Sequence, residues 1–423
     1  MVTALCIFAA TYVLLLLLPK LRPFIAIASA ALFVILGILP ADKVFGSIDW
    51  NVLMMIAGTM GIVYLFIESK MPSLLADLII EKTPNVKWAT IWLSLFAGFI
   101  SAFVDNVATV LMIAPVALGI SKKLRISPVS MIIAIAVSSN LQGAATLVGD
   151  TTSILLGGHA NMSFWDFFVF HGKPGIFWAV EAGAAASAFV LMWLFRKDTQ
   201  PIKAMERTKV TDFFPTFLLL GTIVLLICAS FIENKPANTN GYICMALLVI
   251  GVARELLRGN ASVAKGVFKE IDFFTLGLLA GLFVVIAGIS EAGVIDEISK
   301  LFLKISGDNV FLIYSLVAWA SVIFSAFIDN IPYVATMLPV VAGIASQLGI
   351  EPYLLYFGLL TGATLGGNLT PIGASANITA IGILRSDGYE PKTSDFMRIG
   401  IPFTLCAVIA GYVIIWLVWG VNV

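Results

Sequence analysis

The chain has 423 residues, of which 60% are hydrophobic and 12% charged, and its 25 basic side chains balance 25 acidic ones. That composition excludes a soluble globular protein, and the zero net charge excludes a nucleic-acid binder, leaving an integral membrane protein. The apolar stretches are about 17–20 residues long with turn residues between them, so they read as spanning helices and not as barrel strands.

In chain order, the first stretch, 2–18, has no basic residue ahead of it and no small-residue cleavage site behind it, and is read as a retained helix. Helices at 23–39 and 51–67 follow, then an interrupted pair at 88–104 and 107–120. A broken segment at 129–156 and a helix at 176–195 close the first half. The second half repeats the pattern: 213–231, 240–252, 274–290, an interrupted pair at 310–328 and 331–346, a broken segment at 353–384, and 399–419. Four cysteines, Cys6, Cys228, Cys244 and Cys406, lie inside apolar segments, where they are expected to be buried small hydrophobes.

The halves are related in sequence. Ser101-Ala-Phe-Val-Asp105-Asn106 recurs as Ser325-Ala-Phe-Ile-Asp329-Asn330, and 101–128 laid over 325–352 gives 13 identities in 28 positions. Gly143, Thr146 and Gly149 fall on Gly367, Thr370 and Gly373 at the same offset, and Ile48-Asp49-Trp50 matches Ile271-Asp272-Phe273. A polar break repeated in two membrane halves points to a transporter's central site.

Asp-Asn sits at the junction of each interrupted pair with no room for an aqueous loop. Each pair therefore reads as a re-entrant hairpin, its tip shielded by protein or a water-filled cavity. With the N-terminus outside, 20 of the 25 basic residues fall in cytoplasmic loops, Lys122 and Lys203 among them. Lys43, Lys173, Lys235, Lys300 and Lys304 fall outside, and no basic residue is expected within the membrane. Five spans per half is odd, so the second half is inverted. The expected fold is an all-α polytopic membrane protein of two inverted repeats, 1–210 and 211–423. Each repeat has five transmembrane helices, one of them broken, plus one re-entrant hairpin, with both chain ends outside and the plasma membrane as the expected location.

Asp105 and Asp329 at the tips are the first candidate residues, since an ionisable group at bilayer centre costs about 2.5–3.5 kcal/mol. Each can also cap the second arm of its hairpin. Asn106 and Asn330 add an amide at each tip. The broken segments supply a second polar layer: Asn140, Thr146, Asp150, Thr151 and Ser153 in the first half, and Thr364, Asn368, Thr370, Ser375 and Asn377 in the second. Their glycines and Pro371 let the backbone unwind, freeing carbonyls for a cation, while half-helix N-termini face an anion or polar solute. Asp150 has Ala374 as its repeat partner, so three acids occupy the centre, with no Lys, Arg or His among them. His159 and His171 are placed in the outer loop 157–175. Three unpartnered acids favour a cation or an exchangeable proton. No cofactor is expected; Asp105, Asn106 and Asp150 are the candidate Na⁺ ligands. The cation site is expected around Asp105, Asn106, Asn140 and Asp150, and a weaker or substrate-facing one around Asp329, Asn330, Asn368 and Asn377. Glu181 reads as interfacial or structural.

The paired tips, with Gly149-Asp150-Thr-Thr-Ser153-Ile-Leu-Leu-Gly157 and Gly373-Ala-Ser-Ala-Asn377, resemble the ion transporter superfamily over essentially the whole chain. The nearest branch is the ArsB/NhaD-type and P-protein-like permeases, which share the citrate-transporter-like domain. The resemblance implies a secondary transporter that is a homodimer in the lipid bilayer, acting on a small inorganic or organic ion. Its elevator-type relatives imply a scaffold from 2–67 and 213–290 and a moving part from 88–195 and 310–419. The sodium-coupled dicarboxylate branch carries Ser-Asn-Thr at its tips, where this chain has Asp105-Asn106-Val107 and Asp329-Asn330-Ile331. The leading reading is a transporter of a small oxyanion, organic anion or weak acid coupled to H⁺ or Na⁺. The alternatives are a Na⁺/H⁺ antiporter and, more remotely, a channel or an intramembrane aspartyl protease. The chain has no G-x-x-x-x-G-K-[ST] run to support ATP drive.

Overall fold

The computed structural model describes residues 1–202, 207–210, 212–307 and 309–421; Lys203, expected to be cytoplasmic, lies outside them. The first half contains α1 (Val2–Leu17), α2 (Arg22–Ile35), α3 (Val44–Ser47), α4 (Trp50–Glu68), α5 (Met71–Glu81), α6 (Val86–Ser101), α7 (Asn106–Leu124), α8 (Val129–Gln142), α9 (Thr151–His159) and α10 (Ile176–Leu194). The second contains α11 (Phe214–Ser230), α12 (Thr239–Leu257), α13 (Ala261–Glu270), α14 (Phe273–Glu291), α15 (Val294–Ser306), α16 (Val310–Ser325), α17 (Asn330–Leu348), α18 (Tyr353–Gly366), α19 (Ser375–Ser386) and α20 (Thr393–Ile415). A two-stranded antiparallel ribbon, β1 (Val169–Phe170) and β2 (Lys173–Pro174), lies in the loop before α10. The protein is an all-α polytopic membrane protein. Among the described residues seven helical stretches are long and apolar enough to cross a bilayer, or up to eight if the bent pair α1–α2 is one span. The shorter α6, α8, α11 and α16 are apolar too; α8 and α18 stop where their glycines unwind the chain.

The repeat governs where helices begin. Asn85 and Asn309 cap α6 and α16, Asp105 and Asp329 cap α7 and α17, and Asp49 and Asp272 cap α4 and α14. Each such cap stabilises its helix by about 1 kcal/mol. At the far ends of α7 and α17, Arg125 and Gly349 both take the left-handed conformation, φ 56° and 68°. Packing repeats as well. Gly58 of α4 lets α12 approach at Cys244, while Gly281 of α14 lets α2 approach at Ala26. α6 lies on α8 and α16 on α18, and α10 and α20 run together through Gly183 against Ala407.

The helices read at 2–18 and 23–39 are α1 and the stretch Pro19–Ile35, which meet at a bend of 116°, and the bend holds Arg22 against the second hairpin tip, where its guanidinium finds a carboxylate. Two expectations are corrected. The connections read as loops near 68–88, 252–274 and 291–310 contain the amphipathic helices α5, α13 and α15, whose charges mask their apolar face. Of the four cysteines, all free, Cys244 is buried while Cys6, Cys228 and Cys406 are exposed on apolar helices. The outer surface of such helices meets lipid, so an apolar side chain there needs no protein cover.

Candidate functional site

Each broken segment is pinned to its hairpin turn by the same bonds. Thr146 Oγ1 donates to the Ala102 carbonyl and Thr370 Oγ1 to that of Ala326; Val148 N donates to Thr146 Oγ1 and Ile372 N to Thr370 Oγ1, both at 3.4 Å. A Cβ on Gly149 would lie 2.7 Å from the Gly143 oxygen and 2.9 Å from that of Ala102, and one on Gly373 2.6 Å from Gly367 and 2.8 Å from Ser325. These glycines let the unwound strand press against the hairpin turn. In the first repeat Ser153 Oγ also donates to the Gly143 carbonyl at 2.9 Å.

Over this frame lies a cavity of about 240 Å³. Of the candidate residues, Asp105, Asn106, Asp150, Thr151, Asn330 and Ser375 line it, so both hairpin tips and the N-termini of α7, α9, α17 and α19 reach one space. Asp105 Oδ1 accepts from Val107 N and Ala108 N at 3.0 and 3.1 Å. Asp150 Oδ1 accepts from Thr151 N at 2.7 Å, and its Oδ2 accepts from Thr152 Oγ1 at 3.0 Å and Asn330 Nδ2 at 3.3 Å. That last bond joins the first repeat's broken helix to the second repeat's tip. Where α9 has Asp150 as its cap, α19 has Ala374, which offers no side-chain cap.

Beneath the cavity the buried amides form one network across both halves. Asn106 Nδ2 donates to Asn140 Oδ1 at 3.0 Å; Asn140 Nδ2 donates to the Thr364 carbonyl at 2.7 Å and to Asn368 Oδ1 at 3.1 Å. Asn377 Nδ2 donates to the Gly367 carbonyl at 3.1 Å, leaving Asn377 Oδ1 as a buried acceptor without a partner. Thr152 and Thr364 meet through their hydroxyls at 3.2 Å. The residues read as two clusters are thus interleaved. Among the described residues no group of three or more His, Cys, Asp or Glu is arranged to hold a metal ion.

Asp329 departs from the expectation that no base reaches the centre. It does not line the cavity; its Oδ2 lies 3.1 Å from Arg22 Nη1, both side chains about a fifth exposed. The reason is the bend between α1 and α2, which brings a residue read as cytoplasmic loop onto the tip.

Sequence reasoning also missed the cavity's opposite wall: Met60, Val63, Tyr64 and Ile67 on α4, and Glu270, Asp272 and Thr275 around the start of α14. Asp272 Oδ1 accepts from Thr275 N at 3.0 Å. The Ile271-Asp272-Phe273 match was the available signal. Four carboxylates, Asp105, Asp150, Glu270 and Asp272, therefore face the cavity, and no Lys, Arg or His is among its described lining.

The profile of a family described as Citrate transporter matches residues 12–362. An uncharacterized transporter of Mycobacterium tuberculosis is 31% identical over 430 residues, spanning 98% of each chain. The human P protein is 26% identical over 466 residues, covering 91% of this chain and 56% of that one. In fold, the YdaH transporter of Alcanivorax borkumensis superposes with a TM-score of 0.62 at 13% identity, over 95% of this chain and 98% of that one.

Proposed function

Since the chain belongs to the citrate-transporter family, and is accordingly a membrane transporter and not an enzyme, we propose that it is a secondary active carrier of a small oxyanion, organic anion or weak acid coupled to H⁺ or Na⁺. The observation that carries this reading is the single cavity that joins both hairpin tips to the broken helices. Asp105 and Asp150 face it without a basic partner, which suits a cation or proton. The N-terminus of α19, next to Ser375, has no acidic cap and suits a substrate oxygen. Four carboxylates would repel an anion entering alone, so the substrate travels as the neutral weak acid or together with a cation.

The movement proposed is elevator-like, with 88–195 and 310–419 sliding against the scaffold 2–67 and 213–290. A second cavity of about 280 Å³ supports it. On α14 its wall is Phe283, Ile286, Ala287 and Ser290, the repeat counterparts of Met60, Val63, Tyr64 and Ile67, but it ends at Ala335, Leu338 and Pro339, short of the tips. Two matching vestibules, of which one reaches the site, are what alternating access between inverted repeats requires.

Inverted topology is supported by the ion pairs between distant segments. Lys122–Asp387 (2.5 Å) and Arg207–Glu81 (2.7 Å) join segments assigned to the cytoplasm, and Lys43–Glu291 (2.9 Å) joins segments assigned outside. Labelling of single cysteines at 122 and 173 by an impermeant reagent from the same side would overturn it. A homodimer through the scaffold is proposed from the family likeness, and native mass spectrometry in lipid that finds only monomer would remove it.

The acid-lined cavity also favours a second reading, a Na⁺/H⁺ antiporter. Proteoliposomes separate the two. The carrier reading expects arsenite, silicate, phosphate or citrate to move, with an ion or pH gradient driving accumulation. Proton movement driven by Na⁺ or Li⁺, with none of these solutes transported, would establish the antiporter instead.

A further inference from the structure

We propose that the Arg22–Asp329 ion pair is a latch of the transport cycle: it holds the second hairpin tip on the scaffold while the site is open to the cavity of Asp105, and it parts when the site turns to the other face. This rests on the sliding movement proposed above.

The cavity lies beside Tyr64 and Ile67, near the end of α4, and Glu270 and Asp272, at the start of α14, which are the ends assigned to the cytoplasm. With the cavity on that side, the second hairpin tip is fastened to the bent pair α1–α2 at two points. Asp329 Oδ2 lies 3.1 Å from Arg22 Nη1, and the Tyr12 hydroxyl donates to the Pro332 carbonyl at 3.0 Å. Along α17, Asn330 and Ile331 line the cavity of the site, whereas Ala335, Leu338 and Pro339 line the second cavity. Pro332 stands between the two sets, so the fastening falls where one vestibule gives way to the other.

Arg22 is not free to follow its partner. Its Nε donates to the Leu15 carbonyl at 3.1 Å, tying the guanidinium to α1, and α2 is packed on α14 through Gly281 against Ala26 and Gly288 against Phe33. All of these residues belong to the scaffold, 2–67 and 213–290, whereas Asp329 and Pro332 belong to the part proposed to slide. Movement of that part past the scaffold therefore separates the pair. Both side chains are only about a fifth exposed, and two charges left apart in a mostly covered place are costlier than the pair. A contact made in one state alone shifts the population toward that state. The first tip has no such fastening, since Asp105 faces a cavity whose described lining has no Lys, Arg or His. The carrier accordingly rests with its site toward the cytoplasm.

The test measures the distance between two spin labels on the full-length protein in lipid nanodiscs, by double electron–electron resonance. The labels are carried by Ser262→Cys on α13 and Glu351→Cys ahead of α18, with the four native cysteines replaced by alanine. Both positions are exposed. One belongs to the scaffold and one to the sliding part, at ends assigned to opposite faces, so turning the site outward lengthens their separation. Wild type is compared with Arg22→Gln, Asp329→Asn and the double variant. The longer distance is expected to gain on the shorter by at least about fivefold in each single variant, and the double variant to go no further than the singles. Two distances whose ratio stays at the wild-type value in both single variants overturn the latch and leave the movement standing. Shifts that add in the double variant overturn the pairing. One distance common to all of these proteins removes the sliding movement itself, and the latch with it. If Arg22→Gln does not fold, Asp329→Asn and the double variant, in which no charge is left unpaired, give the same comparison.

Discussion

The two hairpin tips share a hexapeptide, a capping geometry and a pinned broken helix, yet their surroundings differ. Asp105 opens onto a cavity with Asp150, Glu270 and Asp272 on its walls, whereas Asp329 is closed against Arg22. The shared hexapeptide sets the local chemistry of both tips. The elements that pack on each tip, and not the repeat itself, decide whether its carboxylate is available. The acid that looks equivalent in sequence is ion-paired in one half and open to a cavity in the other.

The largest expected effects separate those roles. Asp105→Asn retains a good helix cap while removing the charge. It should lower coupled transport at least about tenfold, equivalent to ~1.4 kcal/mol, with little change in unfolding temperature. Asp150→Asn should act likewise. Asp329→Asn should do the reverse, costing roughly 2 kcal/mol of stability by leaving Arg22 unpaired in a mostly buried place. Flux in proteoliposomes and thermal unfolding of the same preparations check all three. If Asp105→Asn and Asp150→Asn keep wild-type coupled transport and its pH dependence, these carboxylates are structural and the comparison collapses.

A smaller pair of effects should be equal in the two halves. Gly149→Ala and Gly373→Ala each drive a methyl into carbonyl oxygens of the adjoining hairpin turn, at a cost of about 1–3 kcal/mol each. Unfolding temperatures that fall for one and not for the other would show that the pinning is not shared.

The smallest effect has opposite signs. Arg125 holds a left-handed conformation that Gly349 supplies at the matching place. Arg125→Gly should stabilise, and Gly349→Ala destabilise, by about 1 kcal/mol each. Parallel melts of the two variants read the difference.

Much of this molecule is written locally. Hydrophobic stretches bounded by Asn and Asp caps are enough to place most helices within a few residues, because cap and apolar run act through the nearest turn. The residues of the two polar layers are legible for a related reason: a carboxylate or amide within an apolar run has no local purpose beyond capping, and its repetition marks it. Asp105, Asn106, Asp150, Asn330 and Ser375 accordingly meet at one cavity. The amphipathic α5, α13 and α15 are less legible, since their charged faces read as loop until a neighbour is there to receive the apolar side.

What tertiary structure alone decided is the partnership of charges. Nothing in Pro19-Lys20-Leu21-Arg22 distinguishes a cytoplasmic loop from a bend that reaches a hairpin tip more than 300 residues away, because an ion pair depends on distance in space and leaves no period in the sequence. The wall of Tyr64, Glu270 and Asp272 came to line the cavity for the same reason. The sequence by itself determined which side chains carry charge into the membrane; packing determined which of those charges are already answered.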